Sequence, residues 1–104
     1  MEFDEFLRDC ERKGRDPFKY LMPVEAFREI DNFAEYTSVD VAHYSNKTVR
    51  TATRWFKSGY LKALRKNPWI CEGIELKRTL YNEFKEQILG RYKRNKKYPS
   101  REVN

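Results

Sequence analysis

The chain has 104 residues, a formal net charge of +6, 39 % apolar residues and an aromatic share of 15 %. That aromatic content is too high for a disordered polyelectrolyte, and no apolar run approaches the roughly 18 residues a membrane span needs. The charge is divided: residues 1–46 hold 6 Lys/Arg against 11 Asp/Glu, a net of −5, whereas residues 47–104 hold 16 against 5, a net of +11. One domain is expected, because roughly 100 residues is close to the commonest domain size. The acidic start, MEFDEFLRD, fits neither a secretory signal nor an Arg-rich transit peptide. Cys10 and Cys71 stand too far apart for a zinc site or a disulfide framework, and read as reduced thiols of a cytoplasmic protein.

Phe3, Phe6, Leu7 and Cys10 fall at i, i+3, i+4 and i+7, one apolar stripe of a helix that Lys13-Gly14 closes. Asp16-Pro17 breaks the chain, and Pro23 opens a second helix carried to about Tyr36 by Val24, Phe27, Ile30 and Ala34. Thr37 or Ser38 caps a short helix over 39–44, with Asp40 completing a capping box. Ser45-Asn46 is a turn, and a fourth helix runs from about Lys47 to Ser58, closed by Gly59. Residues 61–65, the turn Lys66-Asn67-Pro68 and the alternation around Ile74 and Leu76 read as a β-hairpin over 60–78. Thr79 then caps a long last helix, 79–97, striped by Leu80, Phe84, Ile88 and Tyr92, and residues 99–104 are expected to be a flexible tail.

The fourth helix carries the clearest functional signal. Val49, Ala52 and Phe56 form its expected inward face, with Trp55 at the edge. Lys47, Thr48, Arg50, Thr51, Arg54 and Lys57 occupy the rest, without a carboxylate. Cations neutralise phosphates or reach guanine edges, and threonine bonds phosphate or packs on a thymine methyl. Two helices joined by a tight polar turn form a helix-turn-helix pattern. Asn46 stands at that turn and is expected to contact DNA with those cations and threonines, and the small Ala42 lets the two helices approach.

With these residues in view, the segment from Tyr36 to Gln87 resembles the excisionase-type and MerR-type winged helix-turn-helix domains. The matching positions are Thr37, Ala42, Thr48-Val49-Arg50, Arg54-Trp55, Gly59 and Leu61; residues 1–35 have no counterpart. The resemblance implies a mainly α fold with a small β-hairpin: a single winged helix-turn-helix domain over 1–98, its core at 37–59, its wing at 60–78, an extra N-terminal helix and a long C-terminal one. It implies a regulator or a recombination accessory factor of a phage, plasmid or mobile element, reading duplex DNA with helix 47–58.

Lys62, Arg65 and Lys66 on the wing are expected on the DNA backbone, with Arg91, Lys93, Arg94, Lys96 and Lys97 from the last helix. A different reading is a single-strand-binding or replication-accessory module that uses Trp69, Tyr60 and Tyr98 as stacking platforms beside a larger enzyme. The stripe of Phe3, Phe6 and Leu7 either packs on the domain or docks on a protein partner or a second copy. The only histidine, His43, has no partner ligands in sequence, and no nucleophile-base pairing or phosphate loop is present. The expectation is therefore no enzyme, no catalytic or metal-binding residues and no cofactor.

Overall fold

The computed structural model describes the backbone of residues 1–103 and the side chains of residues 1–94. It is mainly helical with a two-stranded antiparallel sheet. Helix α1, Phe3–Arg12, ends at Lys13, and Gly14 takes the left-handed conformation with φ +67°. Arg15 N–H then donates to Cys10 O at 2.8 Å and Gly14 N–H to Glu11 O at 3.1 Å, a Schellman closure that consumes the last carbonyls of the helix. A single 3-10 turn, Pro17–Lys19, follows, started by the Asp16 carboxylate accepting the Phe18 N–H at 3.0 Å.

Helix α2, Val24–Glu29, is far shorter than the expected run to Tyr36. Ile30 keeps its place in the core but turns to ψ 122°, and the chain leaves the helix there. Local bonds favour the exit: the Asp31 carboxylate accepts the Phe33 N–H at 2.8 Å, and the Asp31 N–H donates to the Tyr36 hydroxyl at 2.9 Å. Strand β1, Glu35–Thr37, occupies residues read as the end of a helix and the next cap.

Helix α3, Ser38–Ser45, begins with the expected capping box: Thr37 N–H donates to Asp40 Oδ2 at 2.9 Å and Asp40 N–H to Thr37 Oγ1 at 3.3 Å. Asn46 ends it at φ 59°, ψ 35°. Helix α4, Val49–Ser58, starts two residues later than expected, because Thr48 accepts the Thr51 N–H and so serves as the cap. Gly59, at φ +82°, closes it.

The hairpin over 60–78 is corrected. Only Arg65 and Ile70 bridge across the turn, with Ile70 N–H to Arg65 O at 2.9 Å and Leu64 N–H to Ile70 O at 2.7 Å. Strand β2, Ile70–Glu72, pairs antiparallel with β1 instead, in the register Glu35–Glu72, Tyr36–Cys71 and Thr37–Ile70. Helix α5, Gly73–Glu83, takes the residues assigned to the second strand. Ile74 and Leu76 alternate for too few residues to set a period of two, whereas Gly73, Leu76 and Leu80 are buried at i, i+3 and i+7. No side chain caps α5; Gly73 N–H donates to Ala34 O at 2.9 Å and Ile74 N–H to Asn32 O at 3.0 Å. Glycine is needed at this seam, since a Cβ on residue 73 would sit 1.8 Å from the Asp31 carbonyl oxygen.

Thr79 is therefore not a cap. It is buried inside α5, and its hydroxyl donates to Glu75 O at 3.0 Å. The expected last helix is divided at Phe84 into α5 and α6, Lys85–Val103. The side chains of residues 99–104, expected as a tail, lie outside the described residues.

One aromatic cluster joins the two ends of the chain. Phe3 and Phe6 pack on Tyr81, at ring-centre distances of 5.4 and 5.7 Å, and Phe6 meets Tyr92 at 5.3 Å. The Tyr81 hydroxyl donates to Met1 O at 2.6 Å. The Tyr92 hydroxyl donates to Asp9 Oδ2 at 2.5 Å, beside Lys13 and Arg12, which also hold that carboxylate. Those donors, the Tyr92 hydroxyl foremost, bring Asp9 down to about 2. Burial pushes the Tyr92 hydroxyl well above its usual range, and its bond to Asp9 adds to this. The α1 stripe thus packs on the domain: Phe3 and Phe6 are buried and Leu7 half-buried. Cys10 and Cys71 are free and buried, and burial pushes the Cys71 thiol up to about 12.

Candidate nucleic-acid interface

Helices α3 and α4 are joined by the three residues Asn46, Lys47 and Thr48. Lys47 N–H donates back to Ala42 O at 3.1 Å, and Ala42 and Ala52 are both buried. Phe56 and Trp55 anchor the inner side of α4, with Phe56 stacked on Trp69 at 5.5 Å and 12°. That stack holds the turn at 66–69 against α4. Trp55 meets Tyr60 at 5.5 Å, and the Tyr60 hydroxyl donates to Glu83 at 3.1 Å. Desolvation, then the Glu83 bond, pushes that hydroxyl up to about 12. Trp69 is half-buried.

Val49 departs from the sequence reading. It was expected inward, but as the first residue of α4, next to Arg50 in the chain, it is 46 % exposed. Thr48, Arg50, Arg54 and Lys57 are exposed beside it, and Thr51 is half-buried, its hydroxyl bonded to Thr48 at 3.1 Å. Asn46 and Lys47 are exposed but lie in the turn before the helix.

The basic half divides by what its cations touch. Arg65 is held by Glu35 through bonds of 2.5 and 3.3 Å, which raise Arg65 and lower Glu35. Arg78 bonds Asp4 at 3.0 Å and Glu75 at 2.7 Å. Lys85 lies 3.5 Å from Glu2, and Lys47 lies 3.6 Å from Glu83. Arg91 donates to Lys19 O at 3.0 Å, which anchors this part of α6 on the 3-10 turn. Among the described residues, Arg50, Arg54, Lys57, Lys62 and Lys66 form no ion pair and are exposed, as are Lys93 and Arg94 on α6. Lys96 and Lys97, and the aromatic Tyr98, lie outside the residues whose side chains are described.

The acidic and basic halves of the sequence therefore interlock rather than forming two separate faces. Asp4, Glu2 and Glu35 each meet a cation from beyond residue 46. Five of the cations without an ion pair among the described residues, Arg50, Arg54, Lys57, Lys62 and Lys66, stand on α4 and on the 60–69 segment that its aromatic residues hold. His43 is exposed, its ring 5.0 Å from Tyr44. No helix among the described residues is long and apolar enough to cross a membrane. Comparison with protein-family models, with curated proteins and with solved structures gives no match.

Proposed function

We propose that the protein binds duplex DNA through α4, as a small regulator or recombination accessory factor. In this reading α3 and α4 are a helix-turn-helix, α4 enters the major groove, and the turn at 66–69 is a short wing on the adjoining backbone. The observation that carries it is the selective absence of carboxylates. Helix α4 holds no carboxylate, and Arg50, Arg54 and Lys57 stand exposed along it without an ion pair among the described residues, with Thr48, Thr51 and Val49 between them. Both ends of α4 are fixed, by the Thr48 cap and by Gly59, and Glu83 ties down Lys47 before it and Tyr60 after it. A rigid helix with free cations is what groove reading requires. Two of the aromatic residues considered for single-strand stacking already have ring or hydrogen-bond partners: Trp69 has Phe56, and Tyr60 has Trp55 and Glu83.

Selection from a pool of random duplexes, followed by gel shifts against single strands of equal length, tests the proposal. A recovered consensus bound more tightly as a duplex is the expected outcome. No consensus, with equal or tighter binding of the single strand, would refute it.

A further inference from the structure

A half-open pocket of about 110 Å³ lies between α1, the 3-10 turn, α2 and α5. Its walls are Phe3, Leu7, Phe18, Leu21, Phe27 and Ile74. A closed apolar cavity of about 150 Å³ is enough to hold benzene, so the room here is that of one ring projecting partly into solvent.

Two polar groups break the apolar wall: an acceptor without a donor and a cation without a direct ion pair. Asn32 lines the pocket with its side-chain carbonyl oxygen buried and no donor bonded to it. Lys77 lines it from α5, half-buried, with no ion pair among the described residues. Burial lowers the Lys77 ammonium, and Asp31 offsets this only at a distance, its Oδ1 already accepting the Phe33 N–H. The Arg28 guanidinium lies 5.5 Å from the centre of the Phe18 ring, a second cation near the same wall. A buried acceptor without a donor and a half-buried cation without a direct ion pair are each unfavourable, and one ligand reduces both penalties.

We propose that this pocket binds a small aromatic carboxylate that also carries a hydrogen-bond donor, the hydroxybenzoate class. The ring fills the space among Phe3, Leu7, Leu21 and Phe27, the carboxylate meets Lys77, and the hydroxyl donates to Asn32. None of the lining residues belongs to α3 or α4, so the site stands independently of the DNA reading.

The test is titration of the full chain with the three hydroxybenzoates, benzoate and phenol, followed by two-dimensional NMR. Saturable shifts at Leu7, Asn32 and Ile74 are expected, with one hydroxybenzoate isomer binding about tenfold more tightly than benzoate or phenol. Lys77→Met should remove that advantage over phenol, and Leu7→Trp, which fills the pocket, should abolish binding of all the probes. No saturable shift at millimolar probe, phenol binding as tightly as the best acid, or shifts confined to the cations of α4 would each overturn the proposal.

Discussion

The sorting of cations gives a quantitative prediction for DNA binding. Each phosphate neutralised by a lysine or arginine adds about −0.9 to the slope of log affinity against log salt. If the unpaired Arg50, Arg54, Lys57, Lys62 and Lys66 are the phosphate contacts, the slope should be about −4.5. A fourfold rise in salt then weakens binding by about 500-fold. Arg50→Ala combined with Arg54→Ala should bring the slope to about −2.7 and the same loss to about 40-fold. Both side chains are exposed and unpaired, so stability should change by less than about 0.5 kcal/mol per site. Arg65→Ala is the matched control, because Glu35 already holds that guanidinium, and its slope should stay near the parent value. Fluorescence anisotropy at four or five salt concentrations measures all three proteins. A double variant with the parent slope, or an Arg65→Ala loss as large as that of the pair, refutes the assignment of charge to α4.

Other expectations follow from contacts described above. Tyr92→Phe keeps the ring against Phe6 and Tyr20 but removes the donor to Asp9, and should cost about 1.5–3 kcal/mol in urea denaturation at neutral pH. Because Asp9 is held below its ordinary value, at about 2, its bonds stabilise the fold above pH 4; the gap between variant and parent should narrow as pH falls from about 4 toward 2. An acid-independent gap would show that the hydroxyl acts only through packing. Gly73→Ala drives a Cβ into the Asp31 carbonyl and should cost about 3 kcal/mol by thermal melting; an unchanged melting temperature would contradict the close approach of the two backbones. Within a selected DNA site, thymine-to-uracil replacement deletes one methyl, and at the base facing Val49 it should weaken binding about fourfold. Val49→Ser should erase that sensitivity, and a site in which no thymine responds would remove Val49 from the groove.

Much of the local architecture was legible in the sequence because it rests on local chemistry. The α1 stripe, the Gly14 and Gly59 closures and the Thr37–Asp40 box each depend on residues a few positions apart. What was illegible depends on distant partners. Ile30 and Ala34 continue a helical period, but Ala34 and Asn32 give their carbonyls to the start of α5 some forty residues away, which forbids the helix. For the same reason α5 shows no capping signal: its cap is backbone from another element. Its short Ile74–Leu76 alternation then favoured a strand. In the candidate interface, the cationic helix face was readable from spacing alone. Its exposed valine and the pairing of Arg65 and Lys47 were not, because neither follows from position along the helix. A signal for the Arg65–Glu35 pair existed only in the register of β1 and β2, which places Glu35 across from Glu72 and Thr37 beside Ile70, the partner of Arg65.

The aromatic cluster that fastens α1 to Tyr81 and Tyr92 has a kinetic consequence. The two hydroxyl bonds that close it, Tyr81 to Met1 and Tyr92 to Asp9, span 80 and 83 positions, nearly the whole chain. Contacts of such sequence separation are slow to form, because closure of a long loop precedes their reward. During synthesis the first helix must wait for the last two, with Phe3, Phe6 and Cys10 uncovered meanwhile. A shortened chain that keeps only the stretch from Tyr36 onward leaves Tyr81 and Tyr92 bare, and its expected failure mode is aggregation.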